Sequence, residues 1–106
     1  MHTLLVTHPA GLNHVTPPGH PERPDRLRAL DRIFEQEKFT HLIRDLAPLG
    51  AREDIIRVHP ADFVDALGEV SPKDGLVRID SDTVLSPGSW EAALRAVGGA
   101  CYAVDE

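Results

Sequence analysis

Asp80 and Asp82 stand one residue apart in the stretch Arg78-Ile79-Asp80-Ser81-Asp82-Thr83-Val84-Leu85, just after the apolar run Leu76, Val77, Ile79. Two carboxylates so spaced behind a strand suit phosphoryl transfer, one as nucleophile and the other as acid and base. The same pair suits a quieter task, because an ionised loop carboxylate accepts N–H groups and can grip the backbone of an extended ligand. A second set of chemistry-bearing residues is His8, His14 and His20, which share one loop, and imidazole is a good zinc ligand. That set lacks the H-x-x-x-H spacing of a helical zinc site and any cysteine pair, so hydrogen bonding or exposure explains it better. His41 and His59 read as structural and His2 as incidental.

The aspartate pair satisfies the D-x-D-x-[TV]-[LV] pattern, in which it resembles the haloacid-dehalogenase superfamily. That motif normally sits on the first strand of its fold and needs a downstream lysine and acidic pair for phosphate and Mg²⁺. No lysine follows Leu85, so a Mg²⁺-dependent phosphatase is the weakest functional alternative. Cys101 falls on the apolar face of the last helix and reads as a small core hydrophobe. Ser86 reads as a helix cap, and neither G-x-S-x-G nor a P-loop occurs.

These residues need elements to hold them. Leu4-Leu5-Val6 predicts a buried strand at the edge or start of a sheet. Residues 8 to 24 contain five of the nine prolines and predict a long ordered or functional loop. Pro24 suits a first helical turn, and Leu27, Leu30, Ile33 and Phe34 recur at helical spacing, predicting a helix from Pro24 to about Glu37. Residues 41–46 predict a second strand. Two short helices follow, the second around Phe63, Val64 and Leu67 and stopped by Gly68. Residues 76–79 read as extended and 80–85 as loop. Ser86 as N-cap and Pro87 at N1 then open a helix running to the end of the chain. Its interior Gly98-Gly99 costs about 1 kcal/mol per residue relative to alanine, which is reasonable where another backbone must come close. Alternating strands and helices argue for an α/β fold with parallel strands, but two or three strands cannot finish an open sheet.

The 106 residues suffice for one small domain. Net charge is −6, and the arginines at 23, 26, 28 and 32 are interleaved with Glu22, Asp25 and Asp31. Such mixed charge excludes a one-signed stripe, so nucleic acid is not an expected partner. No apolar run approaches the ~20 residues of a membrane span, so no membrane partner is expected either. The single Cys101 permits no internal disulfide, which fits a reducing cytoplasm.

"GHPERPDRL", "VHPADFVDAL" and "DSDTVLSPGSWEAALRAVGGACYAVD", in that order from Leu4 to Asp105, resemble the N-terminal part of the arginase/deacetylase superfamily. The likeness is to its class II-like histone deacetylase branch, with the acetylpolyamine amidohydrolases and acetoin-utilization proteins. The resemblance implies an open parallel-sheet α/β domain, incomplete on this chain, so that residues 1–106 form a front segment ending before the zinc site. It implies a catalytic Zn²⁺ in the complete domain that polarises an acetamide carbonyl and activates water. The family's His-His pair and Asp-x-His ligand motif do not occur here. No catalytic or metal-binding residue is therefore expected on this chain, and no zinc bound by it alone.

The same resemblance implies three carry-overs. Asp82 matches the rim aspartate that accepts hydrogen bonds from substrate amides. His20, Pro21 and Glu22 lie in the loop forming one wall of the pocket entrance. Arg26 matches the arginine lining an internal channel. Asp80 would cap or brace the Asp82 loop. The expected substrate of the complete protein is an acetyl-lysine peptide or an acetylated small molecule. A different class of reading is a non-catalytic module whose apolar last helix pairs with a second copy or a complementing chain.

Overall fold

A computed structural model describes residues 2–106. The aliphatic run near the N-terminus forms strand β1 (Leu4–Thr7), which pairs in parallel with β2 (Ile43–Leu46) in the register Leu4↔Ile43 to Thr7↔Leu46. Parallel neighbours need a crossover. Here it consists of a 3-10 segment (Pro9–Asn13), the proline-rich loop and helix α1 (Pro24–Phe34). Arg23 is extended and Pro24 opens α1, with Asp25 in its first turn and Arg32 in its last, both matched to the helix dipole. The helix ends at Phe34, earlier than its periodicity predicts. Phe34 and Phe39 pack edge to face at 5.2 Å around a second 3-10 turn (Glu37–Phe39), and the Arg44 guanidinium of β2 takes the Phe34 carbonyl.

Two short helices follow, α2 (Arg52–Ile55) and α3 (Ala61–Val70). Gly68 does not stop α3. The helix continues through it to Val70, because Gly68 lies beneath the Trp90 ring, to which a Cβ would sit 3.5 Å away. His59 rests on Phe63 with ring centroids 5.9 Å apart. Residues 80–85 are not all loop. Val84–Leu85 form β4, antiparallel to β3 (Val77–Arg78), so the aspartates occupy a hairpin tip.

Helix α4 (Ser89–Asp105) lies across β1, β2 and the strand exit at 47–50. Its Gly98 is in backbone contact with Pro48, where a Cβ would overlap the Pro48 carbonyl and come within 2.8 Å of Gly50 N. The Gly50 N–H donates to Leu94 O at 2.8 Å and Arg95 Nη1 donates to Ala47 O at 3.0 Å. The expected close approach at the glycine pair is thus the joint between α4 and the sheet.

Tyr102 donates to the Asp45 carboxylate at 2.6 Å, tying α4 to β2. That hydrogen bond first, and then burial, push the phenol up to about 12. Ionisation is disfavoured in the fold, so the contact's contribution is complete below the ordinary value of about 10 and is lost as pH rises toward 12. Tyr102 is the only tyrosine. Tyrosinate absorbance should therefore show one transition near 12, and Asp45→Asn should return it toward about 10. A wild-type midpoint near 10 would remove this tie from the account.

Among the described residues, the apolar side chains that are buried are those of Ala10, Ala47, Val64 and Val84. Four small side chains make no closed interior, while Leu46, Leu49, Val58 and Val104 are 55–85% exposed. The accessible surface is 7576 Å², against about 5,800 Å² expected for a folded monomer of this mass. The radius of gyration is 15.3 Å, against about 13 Å for a self-contained domain of similar length. A parallel sheet normally has both faces covered, and these residues leave much of theirs open.

Candidate functional site

The proline loop is shaped by a type II turn. Pro18 and Gly19 take the central positions, Gly19 has φ 85°, and the His20 N–H donates to Pro17 O at 3.1 Å. Thr16 Oγ1 fastens the loop to the Glu22 carbonyl. This delivers the His20 ring to the hairpin tip. His20 Nδ1 accepts the Glu22 N–H at 3.0 Å, and Nε2 lies 2.9 Å from the Asp82 carbonyl and 3.3 Å from its Oδ1.

The tip is braced from its own side as well. Asp80 Oδ1 accepts the Asp82 N–H at 2.8 Å, and Arg78 donates to Ser81 O at 2.9 Å. The Asp82 N–H, followed by the Thr83 hydroxyl, holds the Asp80 carboxyl below the usual carboxylate range. Its brace is therefore complete above about pH 3.9 and is lost only as pH falls below that, through the depressed value. An ionised carboxylate engaged in this way by its own turn acts as a brace of the hairpin tip.

Glu22 pairs with Arg26, at 3.0 Å, and not with its neighbour Arg23. The pairing follows from α1 starting at Pro24, which sets Glu22 and Arg26 one turn apart. Both are more than half exposed, so the pair contributes little stability. His20, Glu22, Arg26, Asp80 and Asp82 thus form one hydrogen-bonded chain, with Pro21 exposed between two members. Arg26 lies at the surface of this chain. The Asp82 carboxylate is 86% exposed at the tip.

The three loop histidines are not brought together. His8 Nδ1 accepts the Ala10 N–H at 2.9 Å, His14 Nδ1 lies 2.6 Å from Ser89 Oγ, and His20 faces Asp82. Among the described residues no group of three or more His, Cys, Asp or Glu side chains could hold a metal ion. The donors present do not fit a catalytic zinc. A mainly apolar cavity of about 470 Å³ lies between β1, α1 and α4, lined by Leu4, Val6, Leu27 and Ala96 together with Asp31 and Arg95. His20 and Asp82 lie outside it.

Ser86 does not cap α4. Gly88 takes that position, because residues 86–89 turn so that Ser89 Oγ accepts the Ser86 N–H at 2.8 Å. The Ser86 hydroxyl instead accepts the Val15 N–H and donates to the Asn13 carbonyl, both at 2.9 Å. Ser86 and Ser89 are 1% and 4% exposed. With His14 they fasten the proline loop to the start of α4, and Gly88 is needed because a Cβ there would overlap Asn13. Sequence reasoning misses Ser89 and Asn13, since their partners are more than 70 residues apart. Thr16 is missed too, although its partner Glu22 lies only six residues on. The four-residue spacing Ser-Pro-Gly-Ser is the only local hint.

Among the described residues, no helix is long and apolar enough to cross a membrane. Residues 20–106 match the histone deacetylase domain family. A probable deacetylase from Archaeoglobus fulgidus is 39% identical over 106 residues, covering 97% of this chain and 29% of that protein. A histone deacetylase-like amidohydrolase from Pseudomonas aeruginosa is 33% identical over 104 residues, covering 94% and 27% respectively. The crystal structure of the HDA15 HD domain superposes with a TM-score of 0.83 at 28% identity, over 98% of this chain and 31% of that one. The chain spans less than a third of the length of these relatives. The matched motifs, the parallel β1–β2 pair and the α/β arrangement agree: the chain belongs to the histone deacetylase domain family and carries the front part of its open-sheet fold.

Proposed function

We propose that these residues serve a zinc-dependent amidohydrolase acting on acetyl-lysine or acetylpolyamine-type acetamides, as its front segment. The observation that carries this reading is the presentation of Asp82. Its peptide is held at the N–H by Asp80 and at the carbonyl by His20, while the carboxylate stands in solvent. Asp82 is the rim clamp, accepting N–H groups from an extended acyl chain and orienting it. His20, Pro21 and Glu22 form the entrance wall, and Arg26 faces the internal channel once further protein covers this surface. Zinc would supply carbonyl polarisation and an activated water. Its ligands and the acid/base pair are assigned to residues other than these, because the donors here do not converge. The purified 106-residue chain should show no turnover of an acetyl-lysine peptide and no stoichiometric zinc by metal analysis. Turnover above a buffer blank, with one bound zinc per chain, would overturn this assignment.

The exposed Leu46, Leu49, Val58 and Val104 favour a second reading, a non-catalytic module that assembles through exposed apolar side chains with another copy or a complementing chain. Sizing chromatography separates the two, since a concentration-independent monomer speaks against self-assembly.

A further inference from the structure

Both ring nitrogens of His20 are engaged, and their partners fix which one carries the proton. The Glu22 backbone N–H, 3.0 Å from Nδ1, can only donate, so Nδ1 must present its lone pair. The neutral ring then carries its proton on Nε2, which faces two acceptors, the Asp82 carbonyl at 2.9 Å and Asp82 Oδ1 at 3.3 Å. The ring is largely enclosed, 16% exposed, whereas the Asp82 side chain is 86% exposed.

Across the tip, the Asp82 N–H is donated to Asp80 at 2.8 Å. The peptide groups on both sides of Asp82 are therefore held, one from its own hairpin and one from a loop 62 residues earlier. The two-residue strands β3 and β4 could not fix the tip alone, because a short isolated hairpin is marginal in water. The loop that supplies the ring is itself anchored by the type II turn at Gly19, by Thr16 and, through Glu22, by Arg26 of α1.

We infer that His20 is a positioning residue: its Nε2–H locks the hairpin tip to the proline loop and so sets where the Asp82 carboxylate stands. The functional meaning rests on the reading of Asp82 as a substrate clamp. A carboxylate that must meet two amide N–H groups loses orientation if its peptide swings, even though the ring itself need not touch substrate.

The ring's two halves can be removed separately. Glutamine places an amide N–H near the Nε2 position, and asparagine places a carbonyl oxygen near the Nδ1 position. In alkaline buffer, nitrogen chemical shifts of the isotope-labelled chain should report the Nε2–H tautomer at His20. Hydrogen exchange at the Asp82 amide should be roughly tenfold faster in His20→Asn and stay near wild type in His20→Gln. The Glu22 amide should show the opposite pattern, protected in His20→Asn and exposed in His20→Gln. A merely space-filling role would not separate the two amides in this way. An Nδ1–H tautomer in the wild-type chain, or an Asp82 amide as protected in His20→Asn as in wild type, would overturn the inference. No substrate enters these measurements, so they judge His20 independently of the clamp reading, which Asp82→Ala judges.

Discussion

Gly98→Ala should lower the stability of the fold by about 2 kcal/mol or more, although alanine is the better helix former. Two effects oppose each other. In the interior of α4 the substitution gains about 1 kcal/mol of helix propensity. Against this, the new Cβ overlaps the Pro48 carbonyl and approaches Gly50 N at 2.8 Å. Both neighbours are backbone, and both belong to the segment that fixes α4 on the sheet through the Gly50–Leu94 and Arg95–Ala47 hydrogen bonds. A side chain can rotate out of the way, but this backbone cannot move without breaking that joint, so overpacking at or above about 3 kcal/mol, the upper end of the usual range, decides the sign. The adjacent Gly99 is the control. Its Cβ would meet Ala47 Cβ at 3.1 Å and Val6 at 3.4 Å, contacts that small shifts relieve, so Gly99→Ala should be close to neutral. Urea denaturation checks both, read as midpoint shifts at constant slope. A Gly98→Ala midpoint at or above wild type would show that the α4–strand joint is looser than described.

Asp82→Ala should raise KM roughly tenfold to a hundredfold while changing kcat only a few-fold, in a chimera carrying residues 1–106 in place of the matching front segment of the Archaeoglobus relative. The Asp82 carboxylate stands exposed at the hairpin tip. A hydrogen bond to a charged group contributes about 1.5–3 kcal/mol, and exposure places a rim contact toward the lower figure. One or two such bonds, at about 1.4 kcal/mol per factor of ten, give the stated range. The clamp is proposed to hold the part of the substrate that does not react. Its interactions are then similar in ground and transition state, and their loss falls on KM. Asp82→Asn keeps one acceptor oxygen and should recover part of the loss. Steady-state kinetics on an acetyl-lysine peptide provide the check. A fall in kcat at unchanged KM would place Asp82 in the chemistry instead of at the rim.

The strand β1, its parallel partner, the Pro24 start of α1 and a close backbone approach at the Gly98-Gly99 pair are legible in the sequence, because each is set by local pattern. Aliphatic runs, a proline at N1 and two glycines in an apolar helix each point to one local outcome. What escapes local reading is either too short for a periodic signal or depends on partners elsewhere along the chain. The hairpin β3–β4 is two residues a side, too short for a period-2 signal, and exists because Ile79 and Thr83 bond across the tip. Ser86 has the chemistry of a cap, but Asn13 and Val15 claim its hydroxyl. Gly68 looks like a helix stop, yet Trp90 packs over it. The family resemblance singles out His20, Pro21, Glu22, Arg26 and Asp82, but it gives no sign of how they are linked. Nothing in "GHPERPDRL" announces that the His20 ring will span to the Asp82 carbonyl, or that Glu22 will choose Arg26 over Arg23. The scarcity of fully buried apolar side chains is also hidden from composition, since 42% hydrophobic content is ordinary and only the fold reveals how little of it is enclosed.

The central claim is that these residues shape the entrance of a deacetylase whose reactive centre lies on other residues. The most direct measurement is acetyl-lysine peptide turnover by the Archaeoglobus chimera, set beside the 106-residue chain alone and matched for zinc content. The account predicts zinc-dependent turnover by the chimera and none by the chain. A chimera that folds as its parent does but hydrolyses no acetamide that the parent hydrolyses, or a 106-residue chain that hydrolyses it unaided, would contradict the account.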